Sequence, residues 1–466
     1  MSRNLLTIFI VVILLLLVTA TVASAAGPGE RSYIIVSQAE QLTPDFVAQV
    51  VAAGGRVTNT IPQIGVVVAS SSDPTFPNRI ASLPSVNAIA PNVKIEIVDP
   101  VTPVALTAAD YGNPPNSGDD DFFFDLQWGH DAVDAVEAWQ SKGRGAGVRV
   151  AVLDDGIDSD HPDLAPNLNL ALSTSFVPGE TFEYIENYPG DPFSHGTHVA
   201  GTIAAADNGY GVIGIAPEAE IVMVKVLSSL TGSGDFDWLL DAIVYSADIG
   251  ADVINMSLGA TVDEAEIESI NDALDIAALV DALERAGRYA NMKGATLIAA
   301  AGNDGESLDG TIHHLPSDIP RYLSISATAP IGWAVDPATN LDIPTFYTNY
   351  GRPIHNAAPG GNFEYYFVDP DSVCTVGVVT HYCWVFDLVF STGSAGAWYW
   401  SAGTSMAAPH ASGVAAIIIG ANGGDMDPRL VKGALKNSAD DLGDPGKDPY
   451  FGWGRVNANN SILPFH

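Results

Sequence analysis

The sequence predicts an α/β body preceded by a small α+β domain, and three observations carry that prediction. The first is an apolar strand, Val148–Leu153, that runs straight into Asp154-Asp155-Gly156, the pattern of a buried strand delivering carboxylates at its carboxyl end. The second is a pair of small-residue helices, opening at Ser194-His195-Gly196-Thr197-His198 and at Gly403-Thr404-Ser405-Met406, each beginning on a chemically active side chain. The third is an uneven charge: the formal net charge of −36 falls almost wholly on residues 106–466, leaving residues 27–105 near neutral. With 466 residues, 47% of them hydrophobic, the chain has material for two to three domains and a large core. Its 55 acids against 19 lysines and arginines exclude nucleic acid and anionic membrane surfaces as partners, since both need basic patches.

The elements follow in order. Leu5–Val18 is almost purely apolar, preceded by Arg3 and followed by Ala23-Ser24-Ala25, the small-x-small pattern of a cleaved export signal. An uncleaved anchor is the alternative, because the apolar stretch is long for a signal. Tyr33–Val36 reads as a strand. Thr43-Pro44-Asp45 opens a helix through Ala53, with Thr43 as N-cap, and Gly54-Gly55 ends it. Ile64–Val68 reads as a strand, Phe76–Leu83 as a short helix, and Val86–Ala90 and Val93–Val98 as strands. Residues 99–120, rich in Pro, Gly, Asn and Asp, read as an exposed linker.

In the body, Asp154 is a candidate functional carboxylate or a turn-forming Asp before Gly156. His195 and His198 share a helix face, but no Glu lies between them as a zinc-protease helix requires. A His at a helix N-terminus stays neutral more easily, which suits a general base. Ser405 is either a simple N-cap or a nucleophile; a cap demands neither the Gly403-Thr404 before it nor Ala407-Ala408-Pro409 after it.

Taken together, the three motifs resemble those of the subtilisin-like serine endopeptidases, the subtilases, in the chain order Asp, His, Ser. The resemblance covers roughly residues 122–460 and implies a mainly parallel sheet flanked by helices. Residues 31–98 are similar to the family's inhibitory propeptide in position and pattern. The resemblance implies Ser405 as nucleophile, His195 as its base and Asp154 as the carboxylate that orients His195. Ala299–Gly305 matches the oxyanion segment, with Asn303 as donor. Asp155 departs from the usual Thr or Ser and resembles the Asp-Asp-Gly of the kexin-type branch.

Further expectations rest on the same resemblance. Ser257, Leu258 and Gly259 match a strand that pairs with an extended substrate. His314 falls near the floor of the specificity pocket, which favours medium or small side chains; Asp304 at the pocket mouth instead favours basic ones, and both readings stay open. A structural calcium ion is expected at Asp163, the Asn208 side chain, and the carbonyls of Ala206, Tyr210 and Val212. No organic cofactor is implied. Asp263–Tyr289 reads as an added acidic helix with one apolar face, and residues 361–402 as an aromatic-rich insertion. Its Cys374 and Cys383 are expected to form a local disulfide, as an exported protein permits.

The sequence thus describes a signal at 1–26, an inhibitory propeptide domain at 27–100, a linker with the processing site at 101–121 and a catalytic domain at 122–466. It reads as a secreted, monomeric serine endopeptidase acting on polypeptides, inhibited by its own propeptide and off the membrane once the signal is cut. A catalytically inactive relative acting as a binding scaffold is the alternative, against which stand the intact Asp154, His195, Ser405 and Asn303. An esterase is disfavoured because the Gly-x-Ser-x-Gly elbow is absent at Ser405.

Overall fold

Side chains alternate across a strand, so a parallel strand covered on both faces must be apolar throughout. Strand Arg149–Asp154 shows the consequence. Val150 and Val152 join the core beneath helices His195–Ala204 and Thr404–Ala421, while Ala151 and Leu153 join the core on the opposite face, beneath Phe236–Asp248 and Ile270–Met292. The computed structural model describes residues 29–97, 100–106, 119–141, 143–185, 193–263 and 270–462. The proposed signal at residues 1–26 lies outside them.

The central sheet runs in the order Ile343–Pro344, Tyr322–Ala329, Thr296–Ala300, Val253–Met256, Arg149–Asp154, Glu220–Lys225 and Thr174–Ser175, and Ile354–Pro359 also pairs with Tyr322–Ala329. Every pairing is parallel except that of Ile343–Pro344. The mainly parallel sheet flanked by helices is therefore as expected. Thr404–Ala421 is the one described helix long and apolar enough to cross a membrane, and it is the buried core helix of the body.

The small N-terminal domain is a four-stranded antiparallel sheet in the order Arg56–Ile61, Val66–Ser71, Arg31–Ser37, Val86–Pro91. Thr43 caps its first helix, Pro44–Ala52, by accepting from Phe46 N–H. Tyr33, Ile35 and Val67 face the domain's own helices; Ile34, Val36, Val66 and Val68 face the body and share its core with Leu279 and Leu283 of Ile270–Met292. This explains why Ile34-Ile35-Val36 and Val66-Val67-Val68 are apolar without alternation: both sheet faces are covered.

Several boundaries differ from the sequence reading. Ile64 and Gly65 belong to a 3₁₀ turn and its αL cap rather than a strand, and the helix from Phe76 stops at Ala81. Among the described residues of Val93–Val98, Lys94–Glu96 forms a strand, and it pairs with Ser233–Asp235 of the body instead of with its own domain; Val98 lies outside the described residues. The linker region contains strand Val104–Ala105, paired with Tyr399 and Trp400. Asp263 closes a strand, Ala260–Asp263, rather than opening a helix; the described helix spans Ile270–Met292. In the insertion, Cys374 and Cys383 form the expected disulfide across the hairpin Val373–Val376 and Val379–Tyr382. Its aromatics divide: Phe386, Trp398, Tyr399 and Trp400 are buried, whereas Tyr366 and Phe367 face solvent.

Candidate active site

The carboxyl ends of three adjacent parallel strands bring the expected residues to one place. Asp154 ends Arg149–Asp154, Ser257 follows Val253–Met256, and Asn303 follows Thr296–Ala300. The two small-residue helices complete the site, with His195 and Ser405 each on a first turn.

Asp154 is fully buried, and its Oδ1 and Oδ2 lie 2.8 and 3.0 Å from His195 Nδ1. That contact fixes the ring orientation and places the Nδ1 proton toward the carboxylate. His198 is a packed neighbour, its Nε2 3.2 and 3.1 Å from the carbonyl oxygens of Val389 and Tyr399; burial pushes its pKa down to about 3. Ser405 is buried, and its hydroxyl donates to the Ser257 carbonyl at 3.3 Å. The Ser257 hydroxyl in turn donates to the Ser405 carbonyl at 2.8 Å.

Asn303 Oδ1 accepts from Thr404 N–H at 2.8 Å and from Thr404 Oγ1 at 2.9 Å. These contacts anchor the oxygen end of Asn303 on the residue before Ser405. Asn303 and Ser405 line a cavity of about 250 Å³ together with Leu258, Gly259, Asp304 and His314. His314 is buried, and burial pushes its pKa down to about 4, so the ring is neutral at pH 7. Its flat face fills the space beside two glycines: a Cβ on Gly259 would come 2.2 Å from His314 Cε1, and one on Gly302 2.7 Å from His314 Cδ2. Asp304 Oδ2 accepts from Asn349 Nδ2 at 3.0 Å and from Thr261 Oγ1 at 3.2 Å.

Asp163 sits away from this cleft, against the loop 206–212. Its Oδ2 accepts from Val212 N–H and Trp398 Nε1, both at 2.9 Å, and Gly211 has to be glycine, since a Cβ there would lie 2.0 Å from that oxygen. Ala206 N–H donates to the Asp163 carbonyl at 2.7 Å. Asn208 Oδ1 accepts from Tyr210 N–H at 2.9 Å. Asp121 is bound to the same loop through Asn208 and Tyr210 N–H groups. Asp163 Oδ1 and Asp121 Oδ2 are buried without a hydrogen-bond partner, and burial pushes these carboxyls up to about 6 and about 8. Two buried carboxylate oxygens without a hydrogen-bond partner, on side chains bound to one loop, suit a hard cation.

Sequence reasoning did not find five contributors. Thr404 orients Asn303, and Trp398 holds Asp163, across 235 residues of sequence separation in the second case. Asp121 was hidden within an acidic run. Glu96 and Ile97, from the small domain, line the same cavity as Ser405. Only Thr404, adjacent to Ser405, carried a local signal.

Residues 145–454 match the subtilase family. The chain belongs to that family. Subtilisin E of Bacillus subtilis is 32% identical over 313 residues, covering 67% of this subtilase and 65% of the relative's length. Thermitase of Thermoactinomyces vulgaris is 30% identical over 344 residues, covering 74% of this chain and 98% of the relative. Among solved structures, the epidermin leader peptide processing serine protease of Staphylococcus aureus superposes with a TM-score of 0.72 at 21% identity, covering 94% of this subtilase and 98% of that chain, which is a likeness of fold.

Proposed function

We propose that this subtilase is a serine endopeptidase made as a self-processing zymogen. The observation that carries it is the buried Asp154–His195 contact of 2.8 Å, at the same strand ends that present Ser405 and Asn303 to one cleft. In this reading Ser405 Oγ attacks a peptide carbonyl while His195 takes its proton, then returns it to the departing amine. Asp154 holds the His195 tautomer and stabilises the imidazolium. Asn303 Nδ2 and Ser405 N–H donate to the developing oxyanion; losing such a donor costs roughly 3–4 kcal/mol of transition-state stabilisation.

Ser257–Gly259 supplies backbone to pair with an extended polypeptide substrate, and His314 forms a neutral floor that suits medium aliphatic side chains better than large aromatic ones. The small N-terminal domain is read as an inhibitory propeptide, because its sheet docks on the body and its C-terminal strand enters the cleft. The apolar segment Leu5–Val18 supports export. Asp163, Asn208 and the carbonyls of Ala206, Tyr210 and Val212 would hold calcium, joined by Asp121; the ion would supply rigidity to the loop and no chemistry to the cleft.

The test is to express the chain and its Ser405→Ala variant and follow casein hydrolysis. The variant is expected to lose at least a thousandfold. Equal hydrolysis by both would overturn the assignment.

A further inference from the structure

Strands Tyr322–Ala329 and Ile354–Pro359 run parallel to Thr296–Ala300, so their amino ends lie at the end of the sheet opposite the cleft. There the segments 318–322 and 351–355, helix Pro428–Ser438 and the loop 447–453 enclose a cavity of about 360 Å³, larger than the one beside Ser405. Arg352, Lys432, Lys447 and His355 line it, with Trp453 as an aromatic wall. An adjoining cavity of about 170 Å³ shares Lys432 and adds Arg321 and Arg429. Residues 106–466 carry nearly all of the net charge of −36, so five basic side chains around one pair of cavities reverse the local sign of the surface.

The carboxylates nearby are already engaged. Asp309 holds Arg352 at 2.8 Å and Asp318 lies 2.6 Å from His313 Nδ1. Glu284 holds Arg321 at 3.0 Å and Asp427 holds Arg429 at 2.6 Å. Among the described residues, Lys432 and Lys447 have no carboxylate partner. Lys432 Nζ donates to the Pro320 carbonyl at 3.2 Å and Lys447 Nζ to the Arg352 carbonyl at 2.6 Å. Those carbonyls fix the two ammonium groups in the wall and cancel none of their charge. Lys436 lies one turn after Lys432 on the same helix, a spacing at which like charges repel, and its Nζ sits 3.5 Å from the centre of the Trp453 ring. Desolvation first, and Lys447 second, lower the Lys432 pKa. Desolvation first, and Lys432 second, push His355 down to about 3. His355 is 5% exposed; its Nδ1 lies 2.6 Å from Asn356 Oδ1, and its Nε2 has no hydrogen-bond partner among the described residues.

We propose that this cavity binds a tetrahedral oxyanion, inorganic phosphate or sulfate, between Lys432, Lys447 and Arg352. Ammonium and guanidinium groups give such oxygens charge-assisted hydrogen bonds, and a polyvalent anion offsets the repulsion among Lys432, Lys436 and Lys447. The ion ties helix Pro428–Ser438 to the amino ends of two strands, so its effect is on stability and its site is separate from the cleft.

The experiment uses Ser405→Ala protein, so that digestion of the sample does not enter the measurement. Sodium sulfate and sodium phosphate are titrated by isothermal calorimetry, with sodium chloride holding the ionic strength constant, and the Tm is followed in parallel. Saturable binding of one anion per chain is expected for both, with a Tm rise that levels off. Lys432→Gln and Lys447→Gln are each expected to weaken binding roughly tenfold and, by relieving repulsion, to leave the anion-free Tm unchanged or higher. Arg352, with 84% of its side chain exposed, supplies a third variant, Arg352→Gln, that tests the site with little effect on folding; its binding is expected to weaken as well. Sulfate also raises Tm through exclusion from protein surfaces, an effect that neither saturates nor depends on these side chains. The absence of saturable heat, a Tm rise of that unsaturating kind alone, or binding that survives all three substitutions overturns the site.

Discussion

Asp155 stands one residue beyond the carboxylate that holds His195, and its contacts give it a separate task. Its Oδ1 accepts from Gly196 N–H at 2.8 Å and its Oδ2 from His195 N–H at 3.4 Å, while the Ser194 hydroxyl accepts from Thr197 N–H at 3.2 Å. Between them Asp155 and Ser194 cap the helix that carries His195. Burial first, and the charge of Asp154 second, push the Asp155 carboxyl up to about 7. Because the folded value is raised, folding binds a proton here: the contribution to stability is full below the ordinary carboxylate range and is lost as pH rises toward 7. Asp155→Ala is expected to cost ~1–2 kcal/mol in denaturant unfolding, the usual value of a lost cap. Asp155→Asn keeps an acceptor and removes a carboxyl that gains its charge only near pH 7, so the upper part of the acid limb of its kcat/KM profile is expected to move to lower pH. An unmoved acid limb would show that Asp155 does not act on His195. The motif around Asp155 was plain in the sequence, but its capping role was not, since it depends on a helix that begins forty residues later.

At the scale of elements, the loop 206–212 and the carboxylates of Asp163 and Asp121 form a unit in which one buried oxygen of each carboxylate lacks a hydrogen-bond partner. Chelator treatment is expected to lower the Tm by several degrees, since a bound ion stabilises by mass action, and calcium is expected to restore it. Asp163→Asn is expected to abolish the calcium response while Trp398 Nε1 still finds an acceptor. A Tm indifferent to chelator and calcium in the wild type would refute the site. Elements with strong local signals were legible: Thr43-Pro44 and Gly54-Gly55 bracket a helix, and the apolar run ending at Asp154 marks a parallel strand. Strand Arg56–Ile61 was not legible, because RVTNTI is too polar to read as a strand, even though its partner Val66–Ser71 follows directly in the chain. Lys94–Glu96 was legible as a strand, but its partners lie some 140 and 160 residues away and are glycine-containing edges without a hydrophobic pattern.

At the scale of the whole molecule, the charge division acquires a structural counterpart. The acidic body meets the near-neutral small domain through amides facing carboxylates. Asn59 donates to Asp241, Asn92 donates to Asp237 at 2.7 Å, Asn87 donates to Asp281 at 2.9 Å and Gln63 donates to Asp248 at 3.2 Å. Burial under the small domain pushes Asp241 up to about 6 and moves Asp237 in the same direction. On release these carboxyls return toward the ordinary range, so docking takes up protons. If the small domain is released as proposed, it is therefore expected to bind tightest at low pH and to loosen as pH rises through 4 to 6. From Asp241 alone, the affinity of the cleaved small domain is expected to fall roughly tenfold between about pH 5 and pH 7, read from the lag before casein hydrolysis or by gel filtration. Asp241→Asn is expected to flatten that dependence, and an undiminished slope in the variant would contradict the assignment.

The central claim is that Ser405 is the nucleophile of an endopeptidase, and covalent labelling tests it most directly. Processed enzyme is treated with a serine-directed phosphonofluoridate and mapped by peptide mass spectrometry while casein hydrolysis is followed. The account predicts one label, on the peptide containing Ser405, with hydrolysis lost in proportion to labelling. Full hydrolysis in quantitatively labelled enzyme, or inactivation with the label on another residue, would contradict it.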